Sequence, residues 1–85
     1  MNTMKTKTAQ TAKTLTMKVE QFEALNDNLT YRNPDHDLDP CFGNPAVNGM
    51  KTVEVPAHLV VITRNMIARM MDNGANMGKA FAQLV

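Results

Sequence analysis

The stretch VPAHLVVITRNMIARMMDNG, Val55 to Gly74, constrains the fold more than any other part of this chain. Pro56 suits the first turn of a helix, where its missing N–H is not needed. Asn73-Gly74 supplies a left-handed stop at the other end. Between them, Leu59, Ile62, Met66 and Met70 fall within an arc of about 80° at about 100° per residue. Val60, Ile67 and Met71 widen the apolar face to roughly half the circumference. His58, Arg64, Asn65, Arg69 and Asp72 take the opposite side, with Val61 and Ala68 among them. After the break, ANMGKAFAQLV places Met77, Phe81, Leu84 and Val85 on one face of a second helix. Two amphipathic helices joined by a short break predict an antiparallel helical hairpin. Gly78 weakens the second helix in isolation, so that helix depends on docking.

Upstream the signals are mixed. In TLTMKVEQFEALNDNLT (14–30), Leu15, Met17 and Val19 alternate with Thr16 and Lys18, which is the strand period. Phe22, Leu25 and Leu29 then follow at helical spacings. A helix over 18–28 is the favoured reading, with a strand before it left open. Asn26-Asp27-Asn28 lowers helix propensity and marks its expected end. Residues 30–49 read as a loop, because Pro34, Pro40 and Pro45 interrupt any helix or central strand. Asn48-Gly49 has the chemistry of a type I′ turn, with Ala46-Val47 before it and Met50 after it. Thr52 to Val55 continues as a short alternating strand. The expected fold is mainly α, a small α or α+β domain. Its C-terminal helical hairpin follows a short strand or hairpin.

Eighty-five residues make one small domain with little core to spare. The single cysteine, Cys41, excludes an intramolecular disulfide framework, so oligomerisation is the first route to added stability. Residues 1–13 hold almost no large apolar side chain and read as a disordered basic arm before one domain over 14–85. The N-terminus has lysines but no apolar run behind them, and no segment is long enough to cross a bilayer. The lone thiol fits a reducing compartment, and the expected location is the cytoplasm (a bacterial host's, if the chain is phage-encoded).

Charge is unevenly spread behind a net value of +1. Lys5, Lys7, Lys13 and Lys18 face no acid in residues 1–19. Seven acids oppose only Arg32 and Lys51 over 20–54. Arg64, Arg69 and Lys79 outnumber Asp72 in the remainder. Opposite poles on one short chain favour head-to-tail contact or a charged partner.

The stretch NPDHDLDPCFGNP, Asn33 to Pro45, raises the question of chemistry. Asp35, Asp37 and Asp39 alternate as the first ligands of a calcium loop do. The pattern then fails, because Pro40 stands where glycine makes the turn and Ala46 where a glutamate closes the site. His36, Cys41 and His58 lack zinc spacing. Cys41 lacks a framing motif for nucleophilic catalysis. No glycine-rich phosphate loop is present. No cofactor, metal site or enzymatic activity is expected. A looser divalent-cation loop remains an alternative, and so does nucleic-acid binding by the Lys-rich arm with Arg64 and Arg69.

Methionine is flexible and polarisable, and suits faces that repack against partners. Leu59, Ile62, Met66, Met70, Met71, Met77 and Phe81 form the expected core or self-association face. Asp35, Asp37, Asp39, Arg64 and Arg69 are the expected polar partner contacts. The segment VEVPAHLVVITRNMIARMMDNGANMGKAFAQLV resembles a pattern of short accessory proteins of bacteriophages. In these a brief strand ending in Val-Pro leads into two helices. The resemblance implies a non-enzymatic inhibitor or accessory factor that binds a host or phage component. It carries over no site residues. The expected function is thus a protein–protein interaction module that pairs with itself, with another protein, or with both.

Overall fold

A computed structural model describes residues 12–40 and 43–85. The chain forms strand β1 (Lys13–Lys18), helix α1 (Val19–Arg32), strand β2 (Met50–Val55), helix α2 (Val60–Asp72) and helix α3 (Gly78–Gln83). Short 3-10 turns at Pro34–His36 and Ala57–Leu59 precede the loop proper and α2. The architecture is mixed α+β. Three helices accompany a two-stranded antiparallel sheet, which is the α+β form of the expected small domain; the expected C-terminal helical hairpin is corrected, because α3 packs on β1 as well as on α2.

The sheet pairs segments far apart in the chain, from Lys13 opposite Val55 to Lys18 opposite Met50. The strand period decides which side is buried. Leu15 and Met17 on β1 and Lys51, Val53 and Val55 on β2 face inward, while Thr14, Thr52 and Glu54 stay outside. Asn48 and Gly49 both have positive φ, 54° and 78°, as a type I′ turn requires. That turn closes only one bridge, Val47 with Met50; the true partner of β2 is β1. The turn also supports α1, because the Gly49 carbonyl accepts the Val19 N–H at 2.9 Å. This occupies one of the N–H groups that a helix start leaves without an internal partner.

Two upstream boundaries differ from the sequence reading. Lys13 belongs to β1, Ala12 before it is exposed, and residues 1–11 of the expected arm lie outside the described residues. Helix α1 runs four residues past the expected end at Asn28, to Arg32. Burial of Phe22, Leu25 and Leu29 along one face outweighs the weak propensity of Asn26-Asp27-Asn28. The Asn28 side chain bonds back to the Ala24 carbonyl, and the Thr30 hydroxyl to the Asn26 carbonyl. Pro34 then forbids continuation.

Helix α2 ends as its sequence predicts. Gly74 adopts φ +101°, its N–H bonds the Met71 carbonyl, and the Ala75 N–H bonds the Met70 carbonyl. This is the paired-bond stop that favours glycine. The buried face of α2 is rotated from the expected one. Val60, Thr63, Met66 and Ile67 are buried, while Ile62 is 38% exposed. Helix α3 lies against both α2 and β1. Gln83 Oε1 accepts the Thr16 N–H at 2.7 Å, and Gln83 Nε2 donates to the Thr16 carbonyl at 3.1 Å. A helix side chain thereby covers part of the strand edge that β2 leaves open. The core joins the inward strand residues to Phe22, Leu25, Leu29, Leu38, Leu59, Ile67, Met77 and Leu84. Each fully buried aliphatic residue contributes about 1.5–3 kcal/mol from removed apolar surface.

Candidate interaction site

The acidic Pro-rich loop is tied to α1 and β2 by its own aspartates. Lys51 falls on the inward face of β2 and is only 9% exposed. A charge at that depth needs a partner. Asp39, 7% exposed, supplies it, with Oδ2 at 2.5 Å from Lys51 Nζ. The Asn44 carbonyl also accepts from Lys51 Nζ. The ammonium lies 5.5 Å from the centre of the Phe22 ring, within cation–π range. The other oxygen of Asp39 accepts from the Gly43 N–H and the Asn44 amide at 3.1 and 3.2 Å. The hydrogen bond from Lys51 is the main cause that holds the Asp39 carboxyl below its ordinary value of 3.8. Burial works against it, while the Asn44 amide, the ammonium charge and the Gly43 N–H add to it.

A second anchor starts from Asn26. Its amide donates to Asp37 Oδ1 at 2.9 Å, and its carbonyl oxygen accepts the Leu38 N–H at 2.8 Å. Asp37 Oδ1 also accepts the Asp39 N–H at 2.9 Å. Leu38 is thereby delivered into the core. The three alternating aspartates have separate roles. Asp37 and Asp39 accept hydrogen bonds from within the fold. Asp35 alone is exposed, beside the Asn33 side chain that accepts its N–H at 3.0 Å. Among the described residues, no three His, Cys, Asp or Glu side chains are placed to share one ion. Cys41 and Phe42 lie outside the described residues.

Between α1 and this loop lies a recess of about 410 Å³. Val19, Phe22 and Pro34 give it apolar walls, and Glu23, Asp27 and Asp37 give it acidic ones. A second recess, of about 400 Å³, lies between β1 and α3 and is bordered by Lys18, Lys79 and Met77.

The expected apolar face divides into three groups. Leu59, Met66 and Met77 are buried in the chain's own core, the first of the two roles expected of that face. Met70, Met71 and Phe81 are half-buried against that core. Ile62 is exposed, next to Val61 at 53%. The cause is the rotation of α2 that turns Thr63 inward and Ile62 outward. Arg69 is exposed and Arg64 half-exposed, and neither has an ion-pair partner among the described residues. Sequence reasoning missed Lys51, Asn26 and Gln83. Lys51 did carry a signal, since the alternation with Val53 and Val55 places it inward. Asn26 and Gln83 carried none. Among the described residues, no helix is long and apolar enough to cross a membrane. Set beside protein-family models, curated proteins and solved structures, the chain matches none.

Proposed function

We propose that this protein is a non-enzymatic protein–protein interaction module that self-associates. It belongs to the kind of small inhibitor or accessory factor that the phage-like pattern of its C-terminal third implies. The observation that carries this reading is the outer face of α2. Val61 and Ile62 stand exposed on its first turn, with Arg64 and Arg69 beyond them. Adjacent β-branched side chains left in water, next to cations without an ion-pair partner among the described residues, suit a surface that another protein covers. The test is sedimentation of the intact chain over a range of concentrations, alone and as Ile62→Glu. Self-association that weakens at least about tenfold with the variant supports the reading. A chain that stays a single copy at every concentration refutes self-association. Met66→Glu would be a poor probe, because Met66 is 9% exposed and the change would disturb the core itself.

A second reading, nucleic-acid binding through the Lys-rich arm with Arg64 and Arg69, draws support from the recess bordered by Lys18 and Lys79. Affinity for a duplex or single strand that falls steeply with added salt would favour it. Binding that is absent at low salt would remove it.

A further inference from the structure

We propose that the outer edge of β2 pairs with the same edge of a second copy of this chain. The two strands run antiparallel about a two-fold axis, with Thr52 of each copy opposite Glu54 of the other. This contact rests on the self-associating reading above and adds a main-chain component to it. In an antiparallel ladder, successive residues turn their N–H and C=O alternately toward the neighbouring strand and away from it. Thr16 turns both groups away from β2, because both bond the Gln83 side chain. Thr52 lies opposite Thr16, so its own groups point away from β1. The alternation puts those of Met50 and Glu54 on the same side. Met50 fixes the phase independently, since its N–H and C=O both bond Val47. Among the described residues, the N–H and C=O of Thr52 and Glu54 have no partner, and both residues are exposed. Gln83 covers the edge of β1, and no described side chain does the same for β2.

The open stretch is bounded at both ends. Val47 occupies the outward groups of Met50, and Pro56 has no N–H to offer. Within one antiparallel pair two residues exchange both of their bonds, so Thr52 and Glu54 together are their own complement. Val53 then faces its counterpart at the axis, and no main-chain group of either stretch is left over. The side chains agree with this register. Each Glu54 faces a threonine rather than the other Glu54, so like charges are not directly opposed. An inward charge such as Lys51 guards an edge against pairing, but Asp39 already neutralises it. The chain's own N-terminal segment fits less well. It enters β1 at Lys13, opposite Val55, with β2 between it and the open edge. To reach that edge it would have to cross the end of β2, where Pro56 leads toward α2, and it would arrive parallel to β2. Parallel bonds are slanted and less stable per residue.

The experiment uses full-length chains, with circular dichroism to check that each is folded. Thr52→Glu sets a carboxylate opposite the second copy's Glu54, and Thr52→Lys sets an ammonium there. Both lose the same hydroxyl contact with Thr16, so their difference isolates the charge. In sedimentation at low salt, Thr52→Glu should dissociate at about tenfold higher concentration than Thr52→Lys, because the two-fold axis makes each change count twice. High salt should narrow that gap. In wild type, the Thr52 and Glu54 amides should exchange at least about tenfold faster on dilution, while Val53, bonded to β1, stays slow. If the two Thr52 variants associate equally, the edge contact is overturned, and the self-association reading then stands on the response of Ile62→Glu. If wild type stays single at every concentration, both are overturned. Thr52 and Glu54 amides that stay slow in the dilute, single-copy chain overturn the second copy as occupant in favour of the chain's own segment. Amides that stay fast where copies associate overturn the edge contact as well.

Discussion

Replacing Lys51 with methionine would leave Asp39 charged, 7% exposed, and stripped of its strongest partner. Methionine keeps an unbranched apolar side chain of similar length, so lost packing contributes little. Removing one member of a buried pair costs about 3–5 kcal/mol when the remaining charge is left dry. Here Asp39 borders an open recess and keeps two weaker donors, Gly43 and Asn44, which points to the lower end, about 3 kcal/mol. In a domain of this size such a loss lowers Tm by roughly 10–20 °C. Urea unfolding at neutral pH, followed by circular dichroism, measures it directly. Pairing the change with Asp39→Leu should restore about 2 kcal/mol, because no orphaned charge then remains. Amide exchange of Leu38 and Asp39 should accelerate in the single variant and less so in the double. A single variant within about 1 kcal/mol of wild type, with no recovery in the double, would refute the claim that this pair anchors the loop.

Thr63 is fully buried, and its hydroxyl has no hydrogen-bond partner among the described residues. Thr63→Val should therefore raise stability by about 1 kcal/mol in urea unfolding, since shape is kept and an unsatisfied polar group is removed. Gln83→Ala should cost about 1–2 kcal/mol through its two lost bonds to Thr16, and it should speed amide exchange at Thr16 in particular. The Asp39 carboxyl titrates below 3.8 in the folded chain. Its contribution is complete above that value and disappears as pH falls through the lowered folded one. Acid unfolding followed by circular dichroism should thus begin at a higher pH in Asp39→Asn than in wild type.

Several features were legible because they depend on backbone chemistry within a few residues. The left-handed stop at Gly74 needs only glycine after a helical run. The turn at Asn48-Gly49 needs only residues that tolerate positive φ, and the prolines that bound the loop act at their own positions. The alternation around Leu15 and around Val53 also marked strand character. Which strands pair is another matter. β1 finds β2 across an intervening helix and loop, and nothing local to either strand names its partner.

The rotated face of α2 has a similar origin. Its apolar residues span about half the helix, so several rotations bury comparable surface, and the neighbours choose among them. The choice put Thr63 inside and Ile62 outside. The site was half visible in the same way. Aspartates were evident in the loop, but only the inward register of Lys51 decides that Asp39 is structural, leaving Glu23 and Asp27 on the wall of the recess.

Taken alone, the amino-acid order determined the elements: an amphipathic α2 with its stop, a tight turn before β2, a proline-punctuated acidic loop and a basic start. Tertiary structure decided the partnerships: β1 with β2, α3 with the edge at Thr16, Asp39 with Lys51. The physical reason is range. Torsional preference acts over one or two turns of chain, while burial and ion pairing depend on which distant surfaces meet when the core closes.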